Sequence, residues 1–373
     1  MSTSIRSNQR TLTPIQWAEK ACEALMAKFE PEKLPPERFH YHQGVFLSGM
    51  TKTWEQTHDE RYYNYMKRWV DSHVQADGKI KKIKTDELDD IQPGVLLYPL
   101  YKRTGDERYK KALYNLVPLM KQWKTNPSGG FWHKEHYPNQ MWLDGLYMGG
   151  PIAVQFGSVF NEPEYIDMWT YQAALLAQHA TDPVTGLLYH GWDETKQASW
   201  ADPSTGLAPE FWGRAIGWFP VALLEMFEYI PDDHQDKPAL IRIVQDLLTA
   251  LVKYQDEASG RWYQVVDKGD HPDNWLENSC TSLYVHALAK AVRFGYLDPK
   301  YLEYAWKGYQ GVLDTLQFDE NGRVVIGHIC IGTGIGDYAH YIARPTSEND
   351  LHGAGAFILM CTEMNLAQQA GHS

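Results

Sequence analysis

The sequence predicts an all-α protein, an (α/α)6 barrel of six helical hairpins with short β segments in the loops, and three recurrences along the chain predict it. Starts made of a turn, an acid and a Tyr return at HDERY (58–62), GDERY (105–109), NEPEY (161–165) and LDPKY (297–301), each opening an amphipathic run. Starts rich in polar and small residues return six times, at HYHQGVF (40–46), ELDDIQPG (87–94), WLDGLYMGG (142–150), WGRAIGW (212–218), LENSCTS (276–282) and NDLHGAGAF (349–357). Between helices, Gly followed by apolar or aromatic residues returns at DGKI (77–80), GGFWH (129–133), TGLLYH (185–190), SGRWYQ (259–264) and NGRVVI (321–326).

Thr13 and Pro14 form an N-cap and N1 pair, and Trp17, Ala21, Leu25 and Phe29 then recur near a period of four, so the first helix is an amphipathic one. The acid-and-Tyr starts place carboxylates on the positive end of a helix dipole, as helix N-termini do. The Gly-led stretches read as turns into stubby strands carried by loops, not as a separate β domain. Gly, Ala and Ser at intervals of three to four in the six polar starts let neighbouring helices approach closely, which an inner ring requires. The whole chain, 1–373, divides into six modules of helix-pair length and reads as one domain. Pro93 fits only in a first turn or at a kink.

Inner helices that run the same way meet with their N-termini at one mouth. That brings Tyr41, His42, Asp89, Asp144, Arg214, Glu277 and Asp350 toward one cavity. An open solenoid with the same repeats would line a groove with these residues instead.

A net charge of -12 argues against nucleic acid or an anionic membrane as partner, while leaving room for a small anionic substrate held by a few local cations. Cys22, Cys280, Cys330 and Cys361 are scattered and read as reduced core thiols. MSTSIRSNQRTLTP carries no apolar leader and no stretch is long and apolar enough to span a bilayer, so a cytoplasmic protein is expected.

The stretch GGFWHKEHYPNQMWLDGLYMGG (129–150) sets His133, Lys134, His136 and Asp144 among aromatic residues. Aromatic faces suit the apolar side of a sugar ring, and a carboxyl on a rigid helix can be positioned for proton transfer. Asp89 and Asp144 at one partly dry mouth are expected to raise each other's cost of ionisation, leaving one of them protonated as a general acid. Asp89 also reads as an ordinary helix-start acid, because Asp86, Glu87 and Asp90 flank it. His133, Lys134, His190 and Arg214 offer positive charge or donors to an anionic ligand, Arg214 lying between Trp212 and Trp218. His40-x-His42 lacks the further ligands a zinc site needs, and no HExxH, Walker A loop, G-x-S-x-G elbow or dinucleotide fingerprint occurs, so neither metal nor cofactor is expected. The Gly-rich GTGIG (332–336) reads as a loop closing over the mouth.

The segments RFHYHQGVF, DELDDIQPG, GGFWHKEHYPNQMWLDGLYMGGP, PEFWGRAIGW, WYQVVDKGD-x-x-DNWLE and NDLHGAGAFIL, in this order along nearly the whole chain, resemble the unsaturated rhamnogalacturonyl hydrolases of glycoside hydrolase family 105. The resemblance implies a six-hairpin barrel that removes an unsaturated galacturonyl residue from the non-reducing end of rhamnogalacturonan oligosaccharides left by a pectin lyase. It implies Asp144 as catalytic acid/base and Asp89 as the second acid. It implies substrate contacts at His40, Tyr41, His133, Lys134, His190, Trp212, Arg214 and Trp218, with Gly332 and Thr333 in the loop, and no cofactor. The chemistry implied is protonation of C4 of the enol ether by Asp144, addition of water at C5 and collapse of the hemiketal. An unsaturated glucuronyl hydrolase, an ordinary inverting glycosidase and a carbohydrate-binding barrel without turnover are the alternatives. A monomer or weak homo-oligomer is expected.

Overall fold

The structure is a computed structural model that describes residues 12–370. The stretch 1–11, which carries most of the leader reading, lies outside the described residues. Helix α1 (Pro14–Met26) opens at Thr13, whose backbone N–H donates to the Gln16 side chain at 2.9 Å. Then come α2 (Tyr41–Thr57), α3 (Glu60–His73), α4 (Leu97–Thr104), α5 (Glu107–Leu116), α6 (Leu143–Val159) and α7 (Glu164–Ala180). The second half holds α8 (Gly213–Met226), α9 (Lys237–Leu251), α10 (Asn278–Arg293), α11 (Leu302–Leu313), the short α12 (Tyr338–Ile342) and α13 (Leu351–Ala370).

Five of these, α2, α6, α8, α10 and α13, together with the 3-10 turn Gln92–Leu96 that continues into α4, pack side by side as the inner ring, and α13 meets α2 to close it. The fold is the closed (α/α)6 barrel and not the open solenoid. Inner and outer helices differ as burial demands. In α6, α8, α10 and α13 nearly every residue is buried, whereas outer helices such as α3 and α5 bury one stripe. Small residues set the closing contact: a Cβ on Gly49 would fall 2.9 Å from Ile358, and one on Gly355 would fall 2.6 Å from the Val45–Phe46 backbone.

The acid-and-Tyr starts behave as read. Asp59 and Asp106 cap α3 and α5, each accepting a backbone N–H two residues on, and Asp298 does the same for the 3-10 turn that leads into α11. The Gly-led stretches are turns in which Gly78 (φ +81°) and Gly129 (φ +82°) take the left-handed backbone that their reversals need. ELDDIQPG differs from expectation. It forms two 3-10 turns, Leu88–Asp90 and Gln92–Leu96, ahead of α4, and Pro93 sits at the start of the second, where its missing N–H costs no helical bond.

The β segments fix how loops from different modules meet at the mouth. Gln140–Trp142 pairs antiparallel with Gly191–Asp193, and Ile329–Cys330 with Thr346–Ser347. At the opposite end, Tyr98, Pro151, Val221 and Leu359 line a largely apolar hollow of about 530 Å³. Tyr147 also lines it and stacks on Trp218 with ring centroids 4.5 Å apart. No helix among the described residues is long and apolar enough to cross a membrane.

Candidate active site

Asp144 occupies the first turn of α6, where unpaired backbone N–H groups and the helix dipole favour a carboxylate. The strand pair just before it does the placing. Trp142 pairs with Gly191, and the Leu143 N–H donates to the His190 carbonyl at 3.0 Å, so His190 lies directly across from Asp144. His190 Nε2 is 3.1 Å from Asp144 Oδ2, and His190 Nδ1 is 2.7 Å from the Tyr341 hydroxyl. An ionised carboxylate only accepts, so the ring proton sits on Nε2 and Nδ1 accepts from Tyr341. Tyr341 in turn accepts the Gly336 N–H at 3.3 Å. A line of hydrogen bonds thus joins the Gly-rich loop to Asp144.

The protonation states follow from these neighbours. Burial opposes ionisation of Asp144, but the electrostatic influence and hydrogen bond of His190, and His133 beyond it, outweigh burial and hold the carboxyl below the usual carboxylate range. Burial is also the largest influence on His190 and lowers it, more than Asp144 raises it, so the imidazole is neutral near pH 7. The expectation that Asp89 and Asp144 keep one another protonated is therefore corrected: an imidazole and a helix N-terminus face Asp144, and at rest it is a carboxylate.

Asp89 is 5 % exposed and paired with Lys134, whose Nζ is 2.5 Å away, with His133 Nε2 at 3.4 Å. An isolated bridge between Glu87 and Lys134 brings the two loops together, and Lys134 also pairs with Glu87 at 3.2 Å. Lys134 thus meets two carboxylates before any ligand arrives. His133 acts electrostatically on both Asp89 and Asp144 and stacks on Trp142 at 4.5 Å. Trp142 carries Tyr137 stacked at 4.9 Å, which gives the mouth an aromatic wall.

Other residues singled out from the sequence are placed differently. His40 is tied to Asp90 at 2.6 Å and to Arg38 at 2.7 Å, inside a cluster with Glu87. Tyr41 keeps its hydroxyl 2.9 Å from His42 Nε2. Trp212 and Trp218 are each 1 % exposed, Trp212 packed on Tyr341 and Trp218 on Tyr147, so both support the site from beneath. Arg214 was expected to grip a ligand carboxylate. It is 2 % exposed, lies 4.5 Å from the Trp212 ring, and donates to the carbonyls of Cys330 (2.6 Å) and Ile331 (2.8 Å). A buried guanidinium has to satisfy its donors, and it does so by clasping the strand that leads into the Gly-rich loop.

That loop lies where the mouth is. A Cβ on Gly332 would come 3.8 Å from the Tyr41 hydroxyl, and one on Gly334 would come 3.8 Å from Trp142. Thr333 Oγ1 is buried without a partner. Sequence reading missed Tyr341, which its position in DYAHYIARP directly after the Gly-rich loop could have flagged, and it missed His352, in the first turn of the last inner helix. All four cysteines are buried and free, as read.

The comparisons with known proteins agree with this fold. The profile of the family described as Glycosyl Hydrolase Family 88 matches residues 17–367. A solved glycoside hydrolase from family 105 of C. acetobutylicum ATCC 824 is 36 % identical and superposes with a TM-score of 0.89, covering 93 % of this chain and 98 % of that one. A possible family 105 member from Salmonella enterica, 24 % identical with a TM-score of 0.80 over 94 % of each chain, shares the fold. The unsaturated rhamnogalacturonyl hydrolase YesR of Bacillus subtilis (strain 168) is 28 % identical over 300 residues, which cover 78 % of this chain and 79 % of that protein.

Proposed function

The chain belongs to glycosyl hydrolase family 88 by its profile and to family 105 by its 36 %-identical relative, and on that premise we propose that it removes a 4,5-unsaturated galacturonyl residue from the non-reducing end of rhamnogalacturonan oligosaccharides. The observation that carries the reading is Asp144, a carboxylate at a helix start, held by His190 beside an aromatic wall. An enol ether has a nucleophilic carbon at C4. Asp144 delivers a proton there, positive charge develops at C5 and the ring oxygen, and water adds at C5 as Asp144 takes a proton back. The resulting hemiketal opens and expels the rest of the saccharide.

The resting carboxylate has to acquire that proton. The uronate supplies the reason: its own negative charge enters a mouth where Lys134 is already engaged by Asp89 and Glu87, and a like charge close by raises the proton affinity of Asp144. The same sparing use of cations favours the chemistry at C5, because a free cation beside it would oppose the developing positive charge. Asp89 serves by fixing Lys134 and His133, and His40 with Tyr41 borders the loop side of the mouth. Trp212, Trp218 and Arg214 act as supports, and Gly332 and Thr333 cover the sugar from the loop. The barrel works as one catalytic unit.

Turnover is read directly, because the conjugated enol-ether acid absorbs in the near ultraviolet and its product does not. In deuterated water the product carries deuterium at C4. An ordinary glycosidase acting on the acetal leaves C4 unlabelled, and a barrel that only binds leaves the absorbance unchanged. Lyase-generated fragments ending in unsaturated galacturonate and unsaturated glucuronate, compared side by side, separate the galacturonyl reading from its epimer.

A further inference from the structure

We propose that His42, Asp350 and His352 form a binding site for a divalent transition-metal ion of the zinc class at the rim of the mouth. The donors come from the two inner helices that close the ring. His42 lies in the first turn of α2, Asp350 just before α13 and His352 in its first turn. One donor atom from each lies within 4.8 Å of the other two, and the two imidazole centroids are 4.9 Å apart. Ligand bonds of about 2.0–2.2 Å put donor atoms roughly 3–4 Å apart around one ion, so small side-chain adjustments complete the set.

The orientation of His352 is the independent observation. The residue is fully buried, and its Nε2 lies 3.0 Å from the Cys330 carbonyl, so that nitrogen carries the proton. Its Nδ1 is left without a hydrogen-bond partner, 2.9 Å from Asp350 Oδ1. A bare lone pair facing that carboxylate oxygen is repulsive; a second ring proton or a shared cation turns the contact into a bond, and a metal ion is the occupant that also engages His42. A ligating histidine is characteristically held in this way, with its other ring N–H on a backbone carbonyl.

A second cluster in the same mouth shows the difference. His40, Glu87 and Asp90 are also grouped as ligands would be, but the Arg38 guanidinium already pairs with all three. Among the described residues no Lys or Arg lies within ion-pair distance of Asp350, whose near neighbour is His352 Nδ1. Two imidazoles and one carboxylate select a borderline ion such as Zn²⁺ or Co²⁺ over Mg²⁺ or Ca²⁺, which prefer oxygen donors. Three protein ligands leave a fourth position open, and the Gly332 loop lies close by, a Cβ there being 3.9 Å from His42 Nε2. The open position suits water or an anionic oxygen.

Chelator-treated, desalted protein is titrated with Zn²⁺ in a calorimeter and with Co²⁺ by visible absorption. One equivalent is expected to bind with a Kd on the order of 1 μM or tighter. His42→Gln, Asp350→Asn and His352→Gln, each checked for folding by thermal melting, are expected to weaken it at least about tenfold. His40→Gln, in the cluster that Arg38 fills, leaves the affinity unchanged. The wild-type titration decides first: no single site tighter than roughly 100 μM overturns the proposal, as does wild-type affinity in any folded variant of the three. Neither readout depends on turnover, so the outcome is independent of the hydrolase reading.

Discussion

Replacing Asp144 with Asn separates proton delivery from everything else the residue does. Asn has nearly the same volume and keeps an oxygen to accept the His190 Nε2–H, which lies 3.1 Å away in the native chain. The hydrogen-bond line through Tyr341 and the packing on α6 therefore survive, and contact with the sugar changes little. What is lost is the proton for C4 and the base that activates water for C5. General acid–base assistance is worth about 10²–10⁴-fold, and here one group supplies both halves. A fall in kcat of at least about 10³-fold, roughly 4 kcal/mol of barrier, is expected, with saccharide affinity within about tenfold of wild type. The assay is the loss of near-ultraviolet absorbance from an unsaturated rhamnogalacturonan disaccharide, paired with calorimetric binding. A variant retaining kcat within tenfold of wild type would refute the assignment, since no amide can donate that proton.

Three further outcomes follow from the site. His190→Phe keeps an aromatic ring among Trp142 and Trp212 but removes the donor that holds Asp144 down, so the Asp144 pKa rises and the alkaline fall of kcat/KM moves to higher pH; an unmoved pH profile counts against the pair. Burial opposes ionisation of Glu87, yet Lys134 and Arg38 pull it from 4.5 to about 2, so its stabilisation is full above pH 4.5 and disappears as pH falls through about 2. Glu87→Gln accordingly costs about 2 kcal/mol at pH 7, after allowance for screening, and nothing near pH 2, as read by denaturant unfolding across that range. Arg214→Ala strands the carbonyls of Cys330 and Ile331 and empties a buried volume, which predicts about 2–4 kcal/mol of lost stability; a raised KM with unchanged stability would restore it to ligand binding.

The placement of Arg214 shows where sequence reasoning reached its limit. An Arg between two Trp residues reads equally as a ligand grip and as a satisfied core cation, because the pattern contains neither of the carbonyls it bonds. Those carbonyls belong to Cys330 and Ile331, brought in by the far end of the chain. The Asp89 and Asp144 reading failed for a similar reason. Proximity of two acids at a mouth is legible, but Lys134 beside Asp89 and the proton-bearing Nε2 of His190 beside Asp144 are decided by two cross-loop pairings. The place of Asp144 at a helix start was legible from its own surroundings, a lone acid between Trp142 and Tyr147.

By itself the sequence determined the repeating helix pair, five of the six inner starts, the helix caps and the turns, because capping, small-residue spacing and amphipathic periodicity are local and act within a few residues. Only the tertiary structure decided that the ring closes, which nitrogen of His190 faces Asp144, that Arg214 holds a strand, and that His42 meets Asp350 and His352. Each of these depends on groups from distant modules sharing one dry mouth, where burial and the nearest charge, not neighbours in sequence, set what a side chain can do.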